Sequence, residues 1–361
     1  MKSDVRFVTF PTVATNARIC TVGGAKATVA DAPHGILGGL MVLKGNEMKM
    51  TFLLLWFVVF ASVVSAQDEN AKAEKAVVEE AAESSSFPES DIFLFELSQA
   101  GGELSVGNGV NVTDRKGYDN QPFFTADSSS FLYTRSEGQQ TDVFEDFLGS
   151  GETKRVTESV GMEFSPTPSP DNQTISFVTD GQGANQSIWR IKRNDPTTPM
   201  WTLKNQPERE PVGYYSWNHE TGFIVFWSRY GHSIRLVHES KKLSHYVTGH
   251  AVPTTPWIIP GTKLFSFVHR QANGEVWIKE LNPETLAVRP LVAIAGSNSH
   301  YNWMPDGSVV MVQGAKLFRW HEKEADGWKE VGDLGLESAS RVAVSPDRKW
   351  LAVVGAAKGE Q

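Results

Sequence analysis

The chain has 361 residues, a net charge of -8, a charged fraction of 21% and a single cysteine, Cys20. That length holds one large domain or two ordinary ones. The acidic balance provides no basic footprint for a phosphate backbone, which excludes nucleic acid as a partner, and one cysteine excludes a disulfide within the chain.

Residues 1–47 show neither strand nor helix periodicity. From Met48 the chain reads MKMTFLLLWFVVFASVVSAQ, with Lys49, an unbroken apolar run from Phe52 to Ala61, and then Val64-Ser65-Ala66. Val64 and Ala66, third-last and last before Gln67, match a signal-peptidase site. The apolar run is shorter than the roughly 20 residues that span a bilayer. The expectation is a signal peptide over 48–66, cut after Ala66, with 1–47 an over-extended start. The mature chain would then be soluble in the periplasm or outside the cell, with no membrane insertion, no lipid anchor and no thiol. Residues 67–90, rich in Ala, Glu and Ser, read as a flexible acidic leader too polar to bury a core.

From Asp91 the chain repeats itself. The segments FTADSSSFLYTR, SPDNQTISFVTD, SWNHETGFIVFWSR, IIPGTKLFSFVHR, MPDGSVVMVQG and SPDRKWLAVVG have one layout: a short strand, a Pro-Asp type of turn and an apolar strand. Their turns begin at Ala126, Pro170, Asn218, Pro260, Pro305 and Pro346. The spacing clusters near about 44 residues, the period of a four-stranded propeller blade. Pro presets φ at the first turn position, and Asp, Asn or Gly accept the reversal that follows. The next strand is apolar at nearly every position, as in ISFV, FIVFW, LFSFV and LAVV, which suits burial on both faces between blades.

Third strands recur as DVFEDF, SIWRIK, SIRLVH, EVWIKEL and KLFRWH, and fourth strands as KRVTES, MWTLKN, LSHYVT, VRPLVA and WKEVGDL. The missing third and fourth strands stand at the other end of the repeat region, as DIFLFEL from Asp91 and GELSVGN from Gly102. The sequence therefore predicts an all-β, six-bladed propeller over 91–361, with four-stranded antiparallel blades. N-terminal strands would complete the C-terminal blade and so protect the seam where an open ring would expose edges.

These repeats resemble the PD40, or WD40-like, repeats of the TolB-like propeller family. The resemblance covers residues 91–355 and rests on Pro170-Asp171, Pro305-Asp306-Gly307 and Pro346-Asp347, with strands such as EVWIKEL beside them. Ala126, Asn218-His219 and Pro260-Gly261 depart from the Pro-Asp pattern while keeping turn chemistry. The α/β domain that precedes the propeller in TolB has no counterpart in the periodicity here. The resemblance implies a propeller and leaves its role open, because function lives in the site.

No catalytic motif stands out. Gly231-His232-Ser233-Ile234-Arg235 approaches a hydrolase elbow but lacks the second glycine and opens a predicted strand. The histidines match no compact ligand spacing, although His250 and His300 each precede an inner strand and could hold a divalent metal across the channel. Asp119 and Glu163 occupy equivalent places in consecutive repeats, the kind of carboxylate pair that glycoside chemistry uses. Asn111, Asn172 and Asn185 fall in Asn-x-Ser/Thr triplets, which in a bacterial host carry no meaning.

In a propeller the first strand of each blade lines the axis, and the loops leading into those strands form one face. The residues expected to converge there are Asp119, Asn120, Gln121, Glu163, Tyr214, His250, Asn298, His300, Tyr301 and Arg341, with Ser340 beside them. A polar ring with tyrosines could grip a peptide or sugar. The expectation is a monomeric, non-catalytic module without cofactor, binding an envelope protein, peptide or glycan. The alternative is a small-substrate lyase or hydrolase in the channel mouth, with a divalent metal on His250 or His300.

Overall fold

The computed structural model describes residues 87–357 apart from 181–185, 204–209, 242–243 and 325, all within the compact unit Ala76–Gln361. The expected over-extended start, the signal peptide and the leader up to residue 86 lie outside the described residues.

Two strands, β1 (Asp91–Ala100) and β2 (Glu103–Asn111), open the domain. The first full blade is β3 (Asp119–Phe124), β4 (Ser130–Glu137), β5 (Gln140–Phe147) and β6 (Glu152–Arg155). The second is β7 (Glu163–Pro168), β8 (Thr174–Thr179), β9 (Ser187–Lys192) and β10 (Asp195–Leu203). The third is β11 (Val212–Asn218), β12 (Phe223–Ser228), β13 (Ser233–His238) and β14 (His245–Thr248). The fourth is β15 (Trp257–Ile258), β16 (Phe265–Arg270), β17 (Val276–Leu281) and β18 (Val288–Ala293). The fifth is β19 (Tyr301–Trp303), β20 (Ser308–Gln313), β21 (Lys316–His321) and β22 (Lys329–Asp333). Last come β23 (Ser338–Val344) and β24 (Trp350–Ala356), which join the opening pair in the order β2-β1-β24-β23. The result is six four-stranded antiparallel sheets, as the repeats require.

Each seam between neighbouring blades holds its own apolar cluster, which explains the unbroken apolar runs. In the closing blade, Phe93, Phe95, Leu97, Leu351 and Val353 pack toward the fifth blade with Val310, Val312 and Leu317. Their chain neighbours Ile92, Ala352 and Val354 pack the other way, onto Phe124, Phe131 and Tyr133 of the first blade. Successive strand residues point to opposite faces, so both faces of β1 and β24 are core. The same holds for β12, where Ile224 and Phe226 join the seam with the second blade and Val225 and Trp227 the seam with the fourth.

Registers follow the expected layout, with Phe95 opposite Leu351 and Gly109. Gly109 is required there because a Cβ would run into the Phe95 ring. The turns carry a device beyond Pro-Asp: the residue before the turn is Thr125, Ser169 or Ser345, and its hydroxyl donates to Asp127, Asp171 or Asp347. The same hydroxyl accepts the N–H of Ser130, Thr174 or Trp350, closing the hairpin from inside. At Asn218-His219 the Asn218 side chain caps the N–H groups of Glu220 and Thr221 instead, so the departure from Pro-Asp preserves the reversal.

Two strands differ from the sequence expectation. The fourth strand expected over 154–159 pairs only over Glu152–Arg155, because the Thr157 hydroxyl takes the Val143 N–H and ends the ladder. The inner strand of the fourth blade is reduced to a bridge at Ala251 and the pair Trp257–Ile258. Pro253 and Pro256 lie between them, and proline cannot donate to a ladder.

Candidate binding site at the channel mouth

The inner strands are not regular. Register slips between Asn120 and Phe123, between Phe164 and Thr167, between Val212 and Tyr214, and between Ala339 and Arg341. Four of the six inner strands thus carry a bulge, which breaks the regular alternation of side chains there. Gln121 and Ser165 sit there with left-handed backbone, at φ 59° and 53°. Such a conformation costs a non-glycine residue on the order of 1 kcal/mol. The Gln121 Oε1 offsets it by accepting the Ser165 N–H at 2.6 Å and the Thr134 hydroxyl at 2.9 Å. In the third blade the slip falls on Gly213, where a Cβ would meet the Trp227 ring.

Inner residues from all six blades line one small cavity of about 40 Å³ that is partly open to solvent, among them Gln121, Ser165, Tyr215, Trp257, His300 and Arg341. Two contacts span the ring. Arg341 of the closing blade donates Nη2–H to the Tyr214 hydroxyl at 2.7 Å, three blades away, with its guanidinium carbon 5.1 Å from the Tyr214 ring centre. Phe123 of the first blade meets Trp257 of the fourth with ring centres 5.5 Å apart.

His300 completes the Arg341 shelf: its Nδ1 lies 3.3 Å from Arg341 Nη1, and its ring stands edge-on to Tyr214. Burial, aided by the guanidinium charge, holds the imidazole well below its usual titration range. A neutral ring that accepts at Nδ1 carries its proton on Nε2. Tyr118 stands in the same field of Arg341 and Tyr214, and burial pushes its phenol up to about 12. Phe87, just before β1, packs on Tyr118 and Phe164.

The residues expected at the mouth divide into three groups. Gln121, Tyr214, His300 and Arg341 come together there, and Tyr301 and Asn298 border them in supporting roles. The Tyr301 hydroxyl is buried against Ser266 of the preceding blade at 2.7 Å, the same tie that Tyr215 makes to Ser176. Asn298 donates to the carbonyls of Val312 and Ser340 and caps the His300 N–H, bracing the fifth blade against the closing one.

Asp119, Asn120 and Glu163 do not reach the cavity. Asp119 is fully buried and paired with Arg115 at 2.9 Å, and Asn120 donates to Ser90. Glu163 is buried between the first and second blades, hydrogen-bonded to Thr157, and burial pushes its carboxyl up to about 7. The equivalent positions of the two acids in the repeats hold, but Asp119 is drawn into a blade seam while Glu163 borders a separate cavity with Ser159, Gly161 and Phe177, so the two are not set across one cleft. His250 is exposed with φ 51° and lies apart from the cavity lining, so it does not converge with His300.

Among the described residues no three His, Cys, Asp or Glu side chains form a metal-holding group. Ser233 of the elbow-like segment is buried at the start of β13, away from any strand-to-helix turn. Sequence reading missed Ser165, Phe123, Trp257 and Tyr118. Ser165 was within reach, since it stands as far before the turn residue Pro170 as Gln121 does before Ala126.

No protein-family model and no curated protein matches the chain. Solved structures do. A protein classed as TolB from Agrobacterium tumefaciens superposes with TM-score 0.57 at 15% identity, over 74% of this chain and 98% of that one. TolB from Acinetobacter baumannii gives 0.49 at 14% identity, over 75% and 65% of the two chains. An oligogalacturonate lyase in complex with manganese gives 0.48 at 14%, over 71% and 82%. The six closed blades and the Agrobacterium superposition together show that the described domain has the six-bladed β-propeller fold, like that of the Agrobacterium protein.

Proposed function

We propose that this propeller is a non-catalytic binding module of the cell envelope that takes a protein or peptide segment at its channel mouth. The observation that carries the reading is the cavity into which bulged inner strands turn Gln121 and Ser165 beside the Arg341 shelf, with Phe123 and Trp257 as an aromatic wall. Polar groups that fix orientation beside an apolar wall are the makings of a recognition site. The signal peptide expected over 48–66 and the TolB-like fold support the envelope as its location, and monomeric action suits a ring that one chain closes.

A lyase or hydrolase would need a base or paired carboxylates facing substrate. Neither Asp119 nor Glu163 lines the channel-mouth cavity, which favours the binder over the enzyme at that site, and a peptide fits the aromatic wall and donor shelf better than an uncharged glycan does. The test is affinity capture from envelope extract with the wild type, with Tyr214→Ala/Arg341→Ala, and with Lys263→Glu on the opposite face. Partners held by the wild type and by Lys263→Glu but lost by the double variant support the reading. Equal recovery by all three refutes it.

A further inference from the structure

Charge in the cavity is one-sided. Among the described residues, Arg341 is the only formally charged one that lines it, in a chain whose net charge is -8. Among the described residues Arg341 has no carboxylate partner: its bonds go to the Tyr214 hydroxyl and the neutral His300 ring. A guanidinium has five N–H donors, so these two bonds leave three unclaimed. The carboxylates that stood nearest in sequence expectation are committed elsewhere, Asp119 to Arg115 and Glu163 to Thr157.

Other polar groups of the cavity can donate as well. Ser165 is 8% exposed, lines the cavity, and its buried hydroxyl has no partner among the described residues. A buried hydroxyl left unpaired costs about 1–3 kcal/mol, so its presence beside a cavity points to a ligand that satisfies it. Gln121 has its Oε1 taken by Ser165 N–H and Thr134, which leaves its amide N–H groups as what it offers. His300 offers Nε2–H. Next to these donors stand the rings of Phe123 and Trp257, with Pro122 and Pro166.

We propose that this cavity is a carboxylate subsite that takes the C-terminal end of a peptide with an apolar or aromatic final residue, the carboxylate on Arg341 and the side chain against Phe123 and Trp257. Arg341 is held in place by Tyr214 and His300, so its fork is preorganised for a two-pronged bond to a carboxylate. The inference rests on the mouth being the binding face and names the group bound there.

The probe is N-acetylphenylalanine, compared by calorimetry or ligand-observed NMR with its amide, with N-acetylaspartate diamide and with galacturonate. The expected result is binding of N-acetylphenylalanine at least tenfold tighter than its amide, weakened by added salt and at least tenfold by Arg341→Met. Arg341→Lys, which keeps charge but loses the fork, falls between, and the melting curve of each variant reports its fold. Equal binding of acid and amide, or full binding by a folded Arg341→Met, overturns the subsite. Tighter binding of the aspartate probe or galacturonate overturns the assignment to a peptide end. If no probe binds while envelope capture still depends on Tyr214 and Arg341, the mouth stands as the binding face and the carboxylate subsite falls.

Discussion

Arg341 and Tyr214, 127 positions apart in sequence, meet across the axis of the ring, with the Arg341 Nη2–H bonded to the Tyr214 hydroxyl at 2.7 Å. The bond makes one strut between opposite blades and braces the cavity rim. Tyr214→Phe keeps the ring under the guanidinium and removes the hydroxyl. A hydrogen bond to a charged group contributes about 1.5–3 kcal/mol when buried, less at a wet mouth. The expected loss is about 1 kcal/mol in urea unfolding, with a double-mutant cycle against Arg341→Met showing coupling of about 0.5–1.5 kcal/mol. Additive effects would show that the two residues do not act as a strut.

The closing blade takes β1 and β2 from one end of the domain and β23 and β24 from the other, so its seams depend on residues far apart in the chain. Phe95 is fully buried in the seam with the fifth blade, opposite Gly109 and Leu351. Phe95→Ala should cost about 3–5 kcal/mol, and removal of residues 91–108 should unfold the ring cooperatively. A deletion that left a cooperative melt near the wild-type temperature would contradict closure by these strands.

Glu163 has the opposite pH signature from a paired surface acid. Its carboxyl titrates near 7 in the folded protein, driven up by burial and only partly pulled back by Thr157, against 4.5 for the free group. The folded state therefore holds the proton over that interval while the unfolded state releases it, so this contribution to stability is complete below about 4.5 and fades as pH rises through about 7. Glu163→Gln, which mimics the protonated form, should be more stable than the wild type at pH 8, by about 1–3 kcal/mol, with the gap closing toward pH 4. Thermal unfolding at the two pH values checks the sign.

The turn boxes behave the other way. The Thr125 hydroxyl donates to Asp127 at 2.7 Å, and that bond, with the Ser129 N–H, holds the carboxyl below its usual range. The stability it lends is present above the ordinary carboxylate range and is lost as pH falls through the depressed value. Thr125→Val should lose about 1–2 kcal/mol at pH 7, since it also deprives the Ser130 N–H of its acceptor. The loss should shrink at pH 2–3, measured by urea titration.

The architecture was readable because each blade is local. Pro170-Asp171 and Pro346-Asp347 mark their turns in the chain itself, and ISFV and LAVV show two-faced burial without help from distant residues. Counting strands even located the closure, because Ile92 and Phe93 repeat the pattern of a third strand. The mouth was only half readable. Gln121, Tyr214, His300 and Arg341 followed from their place in or just before inner strands, but whether an acid at such a place faces water depends on what lies beside it. Arg115 reaches Asp119, and Thr157 leaves its strand to reach Glu163, and neither event has a local sequence mark. The Phe123–Trp257 contact needed the ring itself, since those residues share no blade.

Recognition at the channel mouth is tested most directly by hydrogen–deuterium exchange of the propeller with and without the partner captured from the envelope. The expected result is protection of the inner-strand segments 118–124, 163–168, 212–215, 298–303 and 338–342, which surround the Arg341 cavity. Protection confined to the opposite turns at 126–129, 170–173 and 346–349, with the inner segments unchanged, would contradict it.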